Sequence, residues 1–162
     1  MKAKKFITLI ISAVMACMIL ASCASDIDTG DFEAEAPSGW GLCMPTIDGK
    51  EQTNQIYVIK DGKEPLDRLS HPSMWITYYK DPSKYSEQKD FYKDSEDISS
   101  FETDGKKWEG FKYTSFGKAS ATVKCKDGDA LWVCVFTFES GSDKFSIDDE
   151  AVKEVLGSLK AK

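Results

Sequence analysis

Residues 98–138 constrain this chain more than any other part of its 162 residues, because their side-chain polarity alternates with a period of two between glycine-containing turns. That period places successive side chains on opposite faces of a strand. Asp104-Gly105 is a strong hairpin signal. Pairing centred on it sets Phe101 opposite Trp108, an aromatic cross-strand pair that helps to fix register. In "KASATVKCK" (118–126), Ala119, Ala121, Val123 and Cys125 fall on one face and Ser120, Thr122, Lys124 and Lys126 on the other. "DGDA" (127–130) then turns the chain into 131–138, which is apolar on both faces, as a strand covered on both sides is. Four segments thus form an antiparallel meander.

Shorter strands are expected before it. Leu42 and Met44 alternate with Gly41 and Cys43, and residues 56–59 and 74–79 are β-branched and aromatic runs bounded by turn residues. Two helices complete the pattern. Asp81 as N-cap and Pro82 at the first helical position predict a helix over 82–93, with Tyr85 and Tyr92 seven apart. Ser146 and Asp149 resemble a capping box ahead of Ala151, Val152, Val155, Leu156 and Leu159, which recur on one helical face. Gly157 costs that helix ~1 kcal/mol, which packing of the stripe on a sheet offsets. The fold class expected is α+β: an antiparallel sheet of about six strands, with a C-terminal meander, flanked by two or three helices. It forms a single domain over residues 37–162.

The pieces come in a familiar order. "PSGW" (37–40), the strand-turn-strand "FETDGKKWEGFKY" (101–113), a long apolar hairpin and the closing "EAVKEVLGSLK" (150–160) resemble the PsbP-like domains. The resemblance implies a six- or seven-stranded antiparallel sheet with helices against it, and a binding or assembly role without catalysis. It supplies no ligand residues.

The N-terminus is built differently. Lys2, Lys4 and Lys5 precede a nearly uninterrupted apolar run, residues 6–21, and then Ser22 and Cys23. This is the layout of a secretory signal peptide, residues 1–22, and the run falls short of the ~20 residues that a membrane-spanning helix needs. Leu20-Ala21-Ser22-Cys23 resembles the lipobox of bacterial lipoproteins. That resemblance implies cleavage just before Cys23 and transfer of a diacylglyceryl group to its thiol. The partner implied is the cell membrane, with the domain lipid-anchored on its extracytoplasmic side; an ordinary signal peptide that happens to carry a cysteine is the alternative. Two or three acyl chains, at ~0.8 kcal/mol per buried methylene, anchor stably. Residues 23–36, acidic and poor in large apolar groups, read as a flexible tether. Asp26, Asp28 and Asp31 do not complete a calcium loop, since its glycine and terminal glutamate are missing.

Charge and chemistry narrow the function further. Without residues 1–22 the chain holds 18 Lys and Arg against 27 Asp and Glu, a net charge of −9. Such a surface repels phosphate backbones, so nucleic acid is not an expected partner. His71 is the single histidine, which excludes clusters of histidine ligands. Asp67, Ser70 and His71 suggest a triad on paper, but adjacent Ser and His do not present attack geometry to one another, and "SHPS" reads as a loop. "GKKWEG" (105–110) lacks the glycine pattern of a phosphate loop, and no acidic pair is marked as a glycosidase couple. No catalytic residue, metal site or cofactor is assigned. Cys43, Cys125 and Cys134 read as buried thiols, with one disulfide as the alternative; pairing across 127–130 leaves Cys125 opposite Trp132 and Cys134 opposite Val123, diagonal to each other. Trp75, Tyr78, Tyr79, Tyr85 and Tyr92 pack a helix onto the sheet, or else form an aromatic platform for sugars or a partner. The function expected is that of a non-catalytic envelope binding or assembly module. Its alternatives are a carboxylate-dependent glycan or cell-wall hydrolase and a carbohydrate-binding module.

Overall fold

The computed structural model describes residues 23–162, so the signal-peptide reading of residues 1–22 lies outside the described residues. In chain order the strands are β1 (Asp26–Asp28), β2 (Phe32–Glu35), β3 (Trp40–Cys43), β4 (Thr46–Ile47), β5 (Lys50–Glu51), β6 (Gln55–Lys60) and β7 (Ser73–Tyr79). They continue with β8 (Glu96–Thr103), β9 (Lys106–Ser115), β10 (Lys118–Asp127), β11 (Ala130–Thr137), β12 (Glu139–Ser140), β13 (Asp143–Lys144) and, after helix α1 (Glu150–Ser158), β14 (Lys160–Ala161). Seven of these form one antiparallel sheet in the order β3-β6-β7-β11-β10-β9-β8. The antiparallel, sheet-dominated architecture agrees with expectation. The strand count is seven, not about six, and α1 is the one α-helix among the described residues.

Register follows the sequence pattern. Phe101 faces Trp108 across the Asp104-Gly105 turn, both of whose residues take positive φ. Cys125 lies opposite Trp132 and Cys134 opposite Val123. The inner face of the sheet carries Ile56, Val58, Met74, Ile76, Trp108, Val123, Trp132, Cys134 and Phe136, all without exposed surface, against Val152, Val155 and Leu156 of α1. At Gly110 of β9 the backbone of β10 leaves no room for a side chain: a Cβ there would stand 1.9 Å from the Thr122 carbonyl oxygen. Only glycine fits.

Two expectations are corrected. Residues 24–36 are not a flexible tether. Ala24 exchanges backbone hydrogen bonds with Leu42, and β1, β2 and β14 form a three-stranded sheet. The cause is the alternation within "FEAE": Phe32 and Ala34 point into the core while Glu33 and Glu35 stay in solvent. Phe32 packs edge-on against Trp132 with ring centroids 5.0 Å apart. Among the described residues the fold therefore includes 23–36 and is not confined to Pro37 onward.

Nor is 82–93 an α-helix. Asp81 accepts from the Ser83 N–H at 3.1 Å, as an N-cap does, but the chain continues as two 3₁₀ turns, Pro82–Lys84 and Lys89–Phe91. Two tyrosines seven residues apart make no apolar stripe, and each is drawn separately onto the sheet. Tyr85 rests on Tyr79 at 5.7 Å and Tyr92 stacks on Tyr113 at 3.9 Å. The closing helix holds, though it starts after the 146–149 turn. Asp149 reaches back to the Ser146 N–H at 2.9 Å and is itself the N-cap.

Candidate binding cleft and the setting of Cys23

Where α1 stops covering the inner face, a cleft of about 580 Å³ opens at the end of β8, β9 and β11. Its apolar lining comes from Ile98, Phe101, Phe138, Phe145 and Ile147. Phe138 and Phe145 meet edge to face at 5.3 Å, and Phe145 in turn meets Trp40 at 5.2 Å, so this wall is rigid aromatic packing. The rim is charged and largely paired within the chain. Lys112 holds Glu96 at 2.9 Å, Lys89 holds Asp97 at 2.7 Å, and Lys144 stands 3.7 Å from Glu139. An apolar floor with a polar rim suits a ligand that buries one greasy side.

Cys23, the residue expected to carry lipid, sits at the opposite border of the sheet. With Ala24 bonded to Leu42, Cys23 falls directly across from Cys43 and continues the sheet past β3. Their Cα atoms are 4.6 Å apart, the spacing of a non-hydrogen-bonded antiparallel pair, and the structure joins the two sulfurs in a disulfide. A sulfur so bonded carries no acyl group, so the disulfide and the thioether are exclusive states of Cys23. The backbone of Cys23 is held independently of its sulfur, its N–H donating to the Lys63 carbonyl at 2.8 Å. Cys125 and Cys134 stay free and buried, and burial pushes both thiols up from their ordinary range. They are poor nucleophiles.

The remaining residues singled out from the sequence do not converge. Ser70 Oγ and His71 Nδ1 are 3.1 Å apart, but the Asp67 carboxylate turns away from the imidazole to accept the N–H groups of Lys63 and Glu64, at 2.7 and 3.1 Å. Those bonds hold its carboxyl below the usual aspartate range. The cluster is a closed turn at the surface, where Ser70 Oγ and the Asp67 carbonyl oxygen lie 3.3 Å apart. Asp28 and Asp31 are occupied by Lys162 and Lys80, and among the described residues no group of three or more His, Cys, Asp or Glu is arranged to hold a metal ion. Tyr79, Tyr85 and Tyr92 pack on the outer face, whereas Trp75 is 43% exposed and lies at 57° to Tyr57, so no flat aromatic platform forms. The cleft itself was not legible, because it joins residues 97–119 to 138–148 through strand order alone.

No family model matches the chain, and no curated protein matches it. Among solved structures it is similar to a protein from Bacteroides thetaiotaomicron VPI-5482, at 12% identity and TM-score 0.45, over 89% of this chain and 49% of that one. The chain thus spans about half that protein's length. It is also similar to the cyanobacterial PsbP protein CyanoP from Synechocystis sp. PCC 6803, at 14% identity and TM-score 0.45, over 90% of this chain and 96% of that one. No function is transferred from either.

Proposed function

We propose that this protein is a PsbP-like, lipid-anchored, extracytoplasmic binding module of the bacterial envelope, tied to the cell membrane through Cys23 and holding an envelope partner or small ligand in the cleft. The observation that carries the reading is the cleft itself: an aromatic floor of Phe101, Phe138 and Phe145 beneath a rim whose charges, Asp148 apart, are paired. Anchoring draws its support from the lipobox-like Leu20-Ala21-Ser22-Cys23 that follows the lysines and the apolar run. In the anchored form Cys23 is a thioether and Cys43 a thiol.

Asp97, Glu139 and Asp148 also line the cleft, which keeps one rival reading concrete, a carboxylate-dependent hydrolase of envelope glycan. Two of the three are engaged by lysines, which favours binding over acid–base work. The test is capture of partners from solubilised membranes by the mature protein, side by side with Phe138→Asp and Lys112→Glu. A partner retained by the wild type and lost from both variants is expected. Hydrolysis of cell-wall glycan that disappears in Asp97→Asn or Glu139→Gln, with no partner captured, would replace the proposal by its rival.

A further inference from the structure

The outer face of the sheet is covered unevenly. The 80–95 segment closes part of it, with Tyr92 stacked on Tyr113 of β9 and Tyr85 on Tyr79 at the end of β7. That segment does not reach Tyr57 of β6 or Trp75 of β7. These two are cross-strand neighbours, ring centroids 5.8 Å apart, with Trp75 43% exposed. Beside them runs the 3₁₀ turn Pro65–Leu69, fastened to the sheet by the Arg68 guanidinium 4.7 Å above the Tyr57 ring. In a 3₁₀ turn residues three apart are eclipsed. Leu66 and Leu69 therefore share one side, and both are bare, at 67% and 64% exposure.

The position of Cys23 says what meets this patch. Cys43, directly across from Cys23, pairs with Tyr57, and the carbonyl that clamps the Cys23 N–H belongs to Lys63, two residues before Pro65. No slack separates them. Acyl chains on Cys23 would leave the protein beside the turn. Charge agrees. The loop 61–71 holds Lys63 and Arg68 against Asp61, Glu64 and Asp67, near neutrality on a chain of net −9, and the Asp67 carboxylate is spent on backbone amides. This is a stretch that anionic headgroups repel little. Leu, Trp and Tyr with snorkelling Lys and Arg are the side chains suited to the boundary between headgroups and acyl chains.

We infer that Leu66, Leu69, Trp75 and Tyr57 form a membrane-contacting face that seats the domain against the bilayer. The inference rests on the anchoring reading and adds an orientation to it: the outer face meets lipid, and the cleft, on the inner face, opens away from it. A lipid on Cys23 holds the protein near the membrane, while this face fixes which way it points.

The test uses the full chain, expressed with its N-terminal segment, purified from membranes and reconstituted into phosphatidylcholine vesicles with or without brominated acyl chains. Trp108 and Trp132 have no exposed surface and Trp40 is partly buried against Phe145, so the share of bromine quenching that is lost in Trp75→Phe reports on Trp75. Quenching that falls by more than half in Trp75→Phe and at least twofold in Leu66→Ser/Leu69→Ser, with unchanged circular dichroism and acyl mass, is the result expected. An acylated, vesicle-bound protein that is not quenched, or is quenched equally in Trp75→Phe, overturns the face while leaving the anchor intact. An unquenched Trp75 in a protein that elutes as a dimer overturns it in favour of a second copy as the occupant. Intact mass without acyl weight overturns the anchoring reading, and the face with it.

Discussion

Phe32 stands in a stretch whose composition reads as a solvated spacer, yet it has no exposed surface and its ring packs edge-on against both Tyr78 and Trp132. Replacing it by alanine removes a large buried side chain and leaves a void that the sheet cannot close, so Phe32→Ala is expected to cost ~3–5 kcal/mol in denaturant unfolding. A change below ~0.5 kcal/mol, ordinary for a surface position, would mean that residues 24–36 are a tether after all. Tyr85 offers a second test, through pH. Burial, with smaller contributions from Glu87, Tyr79 and Tyr113, pushes its phenol from 10.0 up to about 12. The folded state therefore keeps the proton longer than the unfolded one, and its contribution is complete below pH 10 and lost as pH rises through about 12. At ~1.4 kcal/mol per tenfold difference in proton affinity, discounted for partial exposure, alkaline unfolding should ease by ~1–2 kcal/mol less in Tyr85→Phe than in the wild type. Equal alkaline slopes would remove the phenol from the account. Register at Cys125 and Trp132 was legible because a two-residue loop and strict alternation fix it locally. The inward turn of Phe32 was hidden, since two large apolar residues in thirteen, Ile27 and Phe32, do not announce a core strand.

The strands of the meander were readable for the same local reason, and where a local rule is broken the structure shows it. Phe116 and Gly117 form the β9–β10 turn with φ of 50° and 73°, and the Phe116 ring is fully exposed. A bulky side chain in the left-handed region is strained where asparagine is not. Phe116→Asn is expected to raise stability by ~0.5–1 kcal/mol, read as a higher midpoint at unchanged denaturant slope; a loss would mean that the ring makes contacts in solution that outweigh its backbone strain. Gly110→Ala should act in the opposite sense, costing at least ~2 kcal/mol, because the added methyl would collide with the backbone of β10. Pairings between distant segments left no such signal. The β1–β2–β14 sheet brings Phe32 opposite Ala161 and Glu33 opposite Lys160, and no period in either segment points to the other. The helix expected over 82–93 fails for the converse reason: a good start signal without a stripe to continue it.

On the scale of the whole molecule, the sulfur of Cys23 links chemistry to placement. As a disulfide it closes a loop between residues 20 apart and pins Cys23 to β3, a link whose loop-closure entropy is worth about 3 kcal/mol. As a lipid thioether it gives up that link, and the domain must hold its first residue through the Lys63 carbonyl and the Ala24–Leu42 pair alone. The two states differ in a number that can be counted. Mature protein extracted from membranes and denatured should present three titratable thiols, those of Cys43, Cys125 and Cys134. The same chain exported without acylation should present two, those of Cys125 and Cys134. Reductant should then lower the unfolding midpoint of the second form and leave that of the first where it was, because only the second has a bond to break. Two thiols in a chain whose mass includes acyl weight would place the lipid elsewhere than on Cys23. The orientation inferred for the domain, with Leu66 and Leu69 toward the bilayer and the cleft away from it, would lose its anchor point.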